Sequence, residues 1–132
     1  MAGKNYGKGT LMNVIFHIIA RDDWTHAQAQ GEYRAASLAT DGFIHCSTRT
    51  QVVDTADNFF RGRTDLLLLC IDERRVSSPV KYEPPAGPAP HDPAIDPLFP
   101  HLYGPLNLDA VLAVYDFPPS ADGTFRLPQL LQ

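Results

Sequence analysis

The chain has 132 residues, 44% of them hydrophobic and 20% charged, with a formal net charge of -4. That length holds one domain with one core, and the composition excludes a chain that stays unfolded. The absence of a basic stripe excludes general capture of a nucleic-acid backbone, which needs clustered Lys and Arg. The longest apolar runs, residues 14–20 and 66–71, fall far short of the ~20 residues that cross a bilayer.

Residues 1–12 carry Lys and Gly without an apolar signal core and are read as a flexible extension, leaving residues 13–132 as the single domain. Residues 14–19 are β-branched and aromatic and predict a strand, with His17 on the same face as Ile15 and Ile19. Asp22 or Asp23 is expected to cap a short helix that includes Trp24 and Ala27 and stops near Gly31. Residues 32–36 suit a second short strand. The turn chemistry of Thr40, Asp41 and Gly42 then leads into Phe43, Ile44, His45, Cys46 and Ser47, which puts His45 at a strand end. Thr48 and Gln51 have capping-box spacing, and Val52, Val53, Ala56, Phe59 and Phe60 recur at helical period up to Gly62.

The charge-bounded apolar run at 66–71 predicts a fully buried central strand. Residues 80–83 alternate as a half-exposed strand does and end at Pro84 and Pro85. Eight of the twelve prolines lie from Pro84 to Pro105. This stretch is expected to form a long loop carrying His91, Asp92, Asp96, His101 and Tyr103, as a lid or as a packed surface connection. Residues 111–117 predict another strand, and residues 124–127 a last one.

A histidine inside an apolar strand must find hydrogen-bond partners. For His17, a core histidine bonded to backbone and a ligand-orienting or acid–base group both meet that demand. His45 repeats the situation beside the hydroxyl of Ser47, where the following helix start offers free amides to a phosphate or carboxylate. Arg21, Arg49, Arg61 and Arg63 could converge on a small phosphorylated ligand. Glu83 suits a general base or a ribose-hydroxyl acceptor, and equally an ion pair beside Lys81. No HExxH spacing supports a metal site, no GxSxG elbow supports a serine hydrolase, and Cys46 points away from the face of its neighbour His45. Cys46 and Cys70 show no CxxC spacing and fit a reduced, cytoplasmic protein.

Phe16-His17-Ile18, Trp24, the segment from Gly42 to Ser47, residues 67–72, Tyr82-Glu83 and the segment from Phe99 to Leu106 form an ordered set. It is similar to the bacterial domain-of-unknown-function 952 (DUF952) family over about residues 13–118, nearly all of a domain this size. That family resembles the ADP-ribosyltransferase-like superfamily. The resemblance implies a compact α+β domain of two small packed sheets with two or three helices around a cleft for NAD or another small nucleotide or phosphorylated ligand, NAD being a substrate. It further implies that His17 engages a ribose and that His45 lines the nicotinamide ring. Ser47 and Tyr103 are expected to complete the ligand contacts, with Glu83 and His101 as further catalytic groups. No late strand carries a QxE or ExE pattern. The expected activity is transfer or removal of an ADP-ribosyl or phosphate group, and the alternative is a non-enzymatic ligand-binding or interaction module on the same fold.

Overall fold

The computed structural model describes residues 13–87, 92 and 96–132. The expected extension over residues 1–12 and His91 lie outside the described residues. In chain order the elements are β1 (Val14–Ala20), α1 (Arg21–Gln30), β2 (Glu32–Tyr33), α2 (Ser37–Thr40), β3 (Ile44–His45), α3 (Val52–Phe59), β4 (Leu66–Asp72) and β5 (Val80–Glu83). They continue with β6 (Phe99–Leu102), β7 (Leu106–Asn107), a 3-10 turn, β8 (Val111–Asp116) and a last 3-10 turn at Gln129–Leu131. The fold is α+β, with small antiparallel sheets and few helices.

β4 is the centre of the first sheet, paired antiparallel with β1 on one edge and β8 on the other. All seven of its residues are buried, as a strand covered on both faces requires. Ile15 and Ile19 of β1 share one face with Leu67, Leu69 and Ile71. Phe16 and Ile18 share the other with Leu66, Leu68 and Cys70. On that second face lie Val52 and Ala56 of α3, one helical turn apart, with Phe117, Phe125 and Leu131. Burying each such large aliphatic side chain stabilises the fold by roughly 1.5–3 kcal/mol.

The first face of β4 is covered by a second three-stranded sheet, ordered β3-β6-β5, and by the two-stranded ribbon β2-β7. In the second sheet Ile44, Leu102 and Val80 stand side by side and point into this core. Their neighbours His45, His101 and Lys81 form the next row across the same three strands. Because side chains alternate along a strand, that row belongs to the outer face. The two sheets are tied where Phe16 and Ser47 exchange both backbone hydrogen bonds at 2.8 Å.

Several expectations are corrected. Two sheets become two sheets and a ribbon, because the strand at Glu32–Tyr33 pairs with Leu106 and Asn107 rather than joining either sheet. α1 starts directly at Ala20 and Arg21 without a side-chain cap, and Asp22 and Asp23 sit in its first turn, where they favour the positive end of the helix dipole. α3 begins at Val52; half of the capping box survives, with the Thr48 amide donating to Gln51 Oε1 at 2.9 Å. The stretch expected to be one long loop contains β6, so His101 is a strand residue. Residues 124–127 form no strand; Phe125 is instead anchored by its amide donating to Asp57 (2.8 Å) and by its ring 5.0 Å from Phe117. Gly31 ends α1 as expected, in the left-handed conformation (φ 84°), with its amide bonded to the Ala27 carbonyl. Among the described residues no helix is long and apolar enough to cross a membrane.

Candidate functional site

The outer face of the second sheet carries a polar and aromatic layer. His101 Nδ1–H donates to Glu83 Oε1 at 2.9 Å, and the Tyr103 hydroxyl donates to the same oxygen at 2.6 Å. A carboxylate oxygen only accepts, so this bond places a proton of His101 on Nδ1 and leaves Nε2 outside the bond. Among the described residues that Nε2 has no hydrogen-bond partner, although His101 is only 3% exposed. Beside it, His45 Nε2–H donates to Asp41 Oδ2 at 2.7 Å, with both side chains about half exposed. The two imidazole centroids are 5.8 Å apart. Phe43 stacks on His101 at 3.9 Å and stands 4.7 Å from His45 and 5.3 Å from Tyr103. Lys81 Nζ lies 4.9 Å from the centroid of the Tyr103 ring, a cation–π distance.

The hydroxyl of Tyr103 and then the imidazole of His101 hold the Glu83 carboxyl below its ordinary range, so it is ionised at neutral pH. The same bond holds the Tyr103 hydroxyl above its ordinary value. The layer thus presents two imidazoles, each oriented by its own carboxylate. Such an arrangement can take up and return protons or bind ribose hydroxyls, with Phe43 and Tyr103 as flat surfaces for a ring.

The structure does not bring the His17 ring into this layer. His17 lies on the core side, 8% exposed. Its Nδ1–H donates to the backbone carbonyl of His45 at 2.6 Å, and its Nε2 accepts from the Tyr33 hydroxyl at 2.9 Å. Burial lowers its pKa to about 4, even though the His45 carbonyl opposes that shift by favouring the charged ring. His17 is therefore neutral at physiological pH, with both nitrogens used. Ser47 is likewise buried, and its hydroxyl meets Thr55 of α3 at 3.3 Å.

The helix start expected to hold an anion beside His45 and Ser47 lies away from the layer. α3 packs on the opposite face of β1, and the Thr48 amide is already bonded by Gln51. Nor do the four arginines converge. Arg21 pairs with Asp116, Arg63 with Asp65, Arg49 donates to the Leu131 carbonyl and Arg61 to that of Asp122. Cys46 and Cys70 are free and buried, and burial pushes both thiols up to about 12, so neither is a thiolate nucleophile. Among the described residues no three His, Cys, Asp or Glu side chains converge as metal ligands.

The sequence alone does not single out Asp41, Phe43 and Tyr33 as partners, whereas Lys81 is already placed beside Glu83. Asp41 precedes His45 by four residues across a turn. Phe43 and His45, like Lys81 and Glu83, alternate along the chain, so a signal is present for Asp41 and Phe43. For Tyr33, whose contact with His17 crosses from the ribbon to the first sheet, the sequence holds none.

The position of Tyr103 depends on Gly104. There φ is 154°, and an added Cβ would collide with the Ser78 side chain, whose hydroxyl is bonded to the Pro105 carbonyl. Gly104→Ala is expected to cost about 1–3 kcal/mol. The same change should weaken the Tyr103–Glu83 bond, which a thermal melt and the ultraviolet titration of Tyr103 would both register.

With that geometry in place, the relatives can be compared. The profile of the family described as "Protein of unknown function (DUF952)" matches residues 18–114. The chain belongs to this family. Solved structures of protein CC0527 from Caulobacter crescentus are similar to it. The crystal structure is 34% identical with a TM-score of 0.76, covering 89% of this chain and 97% of that one, and a double mutant of CC0527 gives the same values. The solution NMR structure is 36% identical with a TM-score of 0.71, covering 90% of this chain and 94% of that one. No curated protein matches the chain.

Proposed function

We propose that the outer layer of the β3-β6-β5 sheet binds NAD or a related nucleotide, and that the chain transfers or removes an ADP-ribosyl or phosphate group there as an ADP-ribosyltransferase-like enzyme. The observation that carries this reading is the pair of carboxylate-oriented imidazoles, His45 with Asp41 and His101 with Glu83. Their oriented rings suit ribose-hydroxyl recognition and proton transfer, and Phe43 and Tyr103 suit stacking by a nicotinamide or adenine ring. An α+β fold of small sheets and the family resemblance to ADP-ribosyltransferase-like domains support the same ligand class, although fold alone does not assign an activity. His17 acts from behind, as a positioning residue that holds the His45 backbone through its carbonyl. Two free cysteines are compatible with a cytoplasmic setting.

A second reading, a non-enzymatic ligand-binding module, is favoured by the low exposure of His101 and by the way His101, Glu83 and Tyr103 satisfy one another. A thermal-shift screen against NAD, ADP-ribose, nucleotides and phosphorylated sugars tests binding, since a ligand of the native state raises Tm. The expected result is a rise with NAD or ADP-ribose that His45→Ala abolishes without unfolding the chain. Release of nicotinamide from NAD then marks an enzyme, and return of intact ligand marks the module. No rise with any of these ligands contradicts both.

A further inference from the structure

On the side of the molecule formed by α1 and β2, a cavity of about 420 Å³ opens that none of His45, Glu83, His101 and Tyr103 lines. Its size lies within the range of small-molecule sites, ~300–1,000 Å³. Asp23, His26 and Gln30 reach it from α1 at spacings of three and four residues, which places them on one helix face. Among the described residues none of these three side chains has a hydrogen-bond partner. From the ribbon side come Glu32, Tyr33 and Arg34. Arg34 Nε donates to Glu32 Oε2 at 2.7 Å, and among the described residues both terminal nitrogens of the guanidinium are unused. Tyr33 is 7% exposed and gives its proton to His17, so its oxygen keeps lone pairs for a donor.

The cavity therefore offers two kinds of contact. Asp23, Tyr33 and Gln30 supply acceptors; among the described residues the Asp23 carboxylate makes no direct ion pair, and Arg63, itself paired with Asp65, acts on it only through space. Arg34 supplies a two-pronged donor that matches a carboxylate. A purely anionic ligand would face Asp23 and Glu32, and a purely cationic one would face Arg34. We infer that this cavity is a second small-molecule site, built for a free amino acid whose ammonium meets Asp23 and Tyr33 and whose carboxylate meets Arg34. The site also touches the first one indirectly. Tyr33 bonds His17, and His17 bonds the carbonyl of His45, so an occupant that engages Tyr33 acts on a chain of hydrogen bonds ending at the strand of the proposed nucleotide site.

The test is a titration of the full chain with glycine, L-alanine, L-glutamate and L-lysine, followed by amide correlation spectra. N-acetyl and carboxamide derivatives of the same compounds serve as probes lacking one charge each. At least one free amino acid is expected to move the amides of residues 31–36 and the His17 ring signals saturably, with both blocked forms at least tenfold weaker. Asp23→Asn and Arg34→Gln, both at exposed positions, are each expected to weaken binding at least tenfold while leaving any Tm rise with NAD or ADP-ribose unchanged. That last readout separates failure of this site from failure of the nucleotide site. The inference is overturned if no amino acid moves these amides, if the blocked forms bind as well as the free ones, or if neither substitution matters.

Discussion

His17→Ala is expected to destabilise the domain by about 2–4 kcal/mol, through a cavity beside β4 and two stranded polar groups, the Tyr33 hydroxyl and the His45 carbonyl. It should also remove a pH dependence. The folded pKa of His17 is lowered to about 4 from an ordinary 6.5. Between those values the unfolded chain binds the proton and the folded chain does not, so stability falls as pH drops. The contribution is fully present above about pH 6.5, declines through the window from 6.5 towards 4, and amounts to about 3 kcal/mol when complete. Denaturant unfolding of the wild type and His17→Ala across that window measures it. The difference between the two should shrink as the pH is lowered. A difference independent of pH would mean that His17 is not held neutral in the folded state.

The second large effect concerns function. If His101 is the proton-handling group of the layer, His101→Ala should lower turnover by about 10²–10⁴-fold, the ordinary contribution of a positioned acid or base. Glu83→Gln separates chemistry from architecture, because the amide oxygen can still accept from His101 and Tyr103 while the negative charge of the carboxylate is gone. Turnover should fall in Glu83→Gln with KM nearly unchanged and Tm close to that of the wild type. Equal losses in Tm and turnover would make the Glu83–His101–Tyr103 group structural. If turnover is absent from the wild type, the same variants are read by affinity for ADP-ribose, with loss expected in His101→Ala.

What could be read from the chain follows the strength of local signals. β4 was legible because a run of leucines bounded by Asp65 and Asp72 has few other ways to be satisfied. The alternation at Val80–Glu83 placed Lys81 and Glu83 on one face in advance. β6 was not legible, because Pro100 sits in the middle strand of its sheet, a position prolines seldom take. It is tolerated here because the strand uses the Pro100 carbonyl, which accepts from the Cys46 amide at 3.1 Å. With β6 hidden, the sequence predicts a loop at His101, although it stands beside His45 in register. An apolar strand marks His17 as a histidine that needs partners. Which partners it took depended on Tyr33, brought in by the ribbon, and on the crossing of β3 against β1, neither of which has a sequence signature.

The most direct measurement is a long-range ¹H–¹⁵N correlation spectrum of the imidazoles of His17, His45 and His101, recorded without and with ADP-ribose. It reports on which nitrogen each proton resides and which rings meet the ligand. The account predicts His17 as a neutral ring protonated on Nδ1 whose tautomer ADP-ribose does not change, and saturable movement of the His45 and His101 signals. Movement of His17 with His45 and His101 unchanged, or no movement in any of the three, would contradict it.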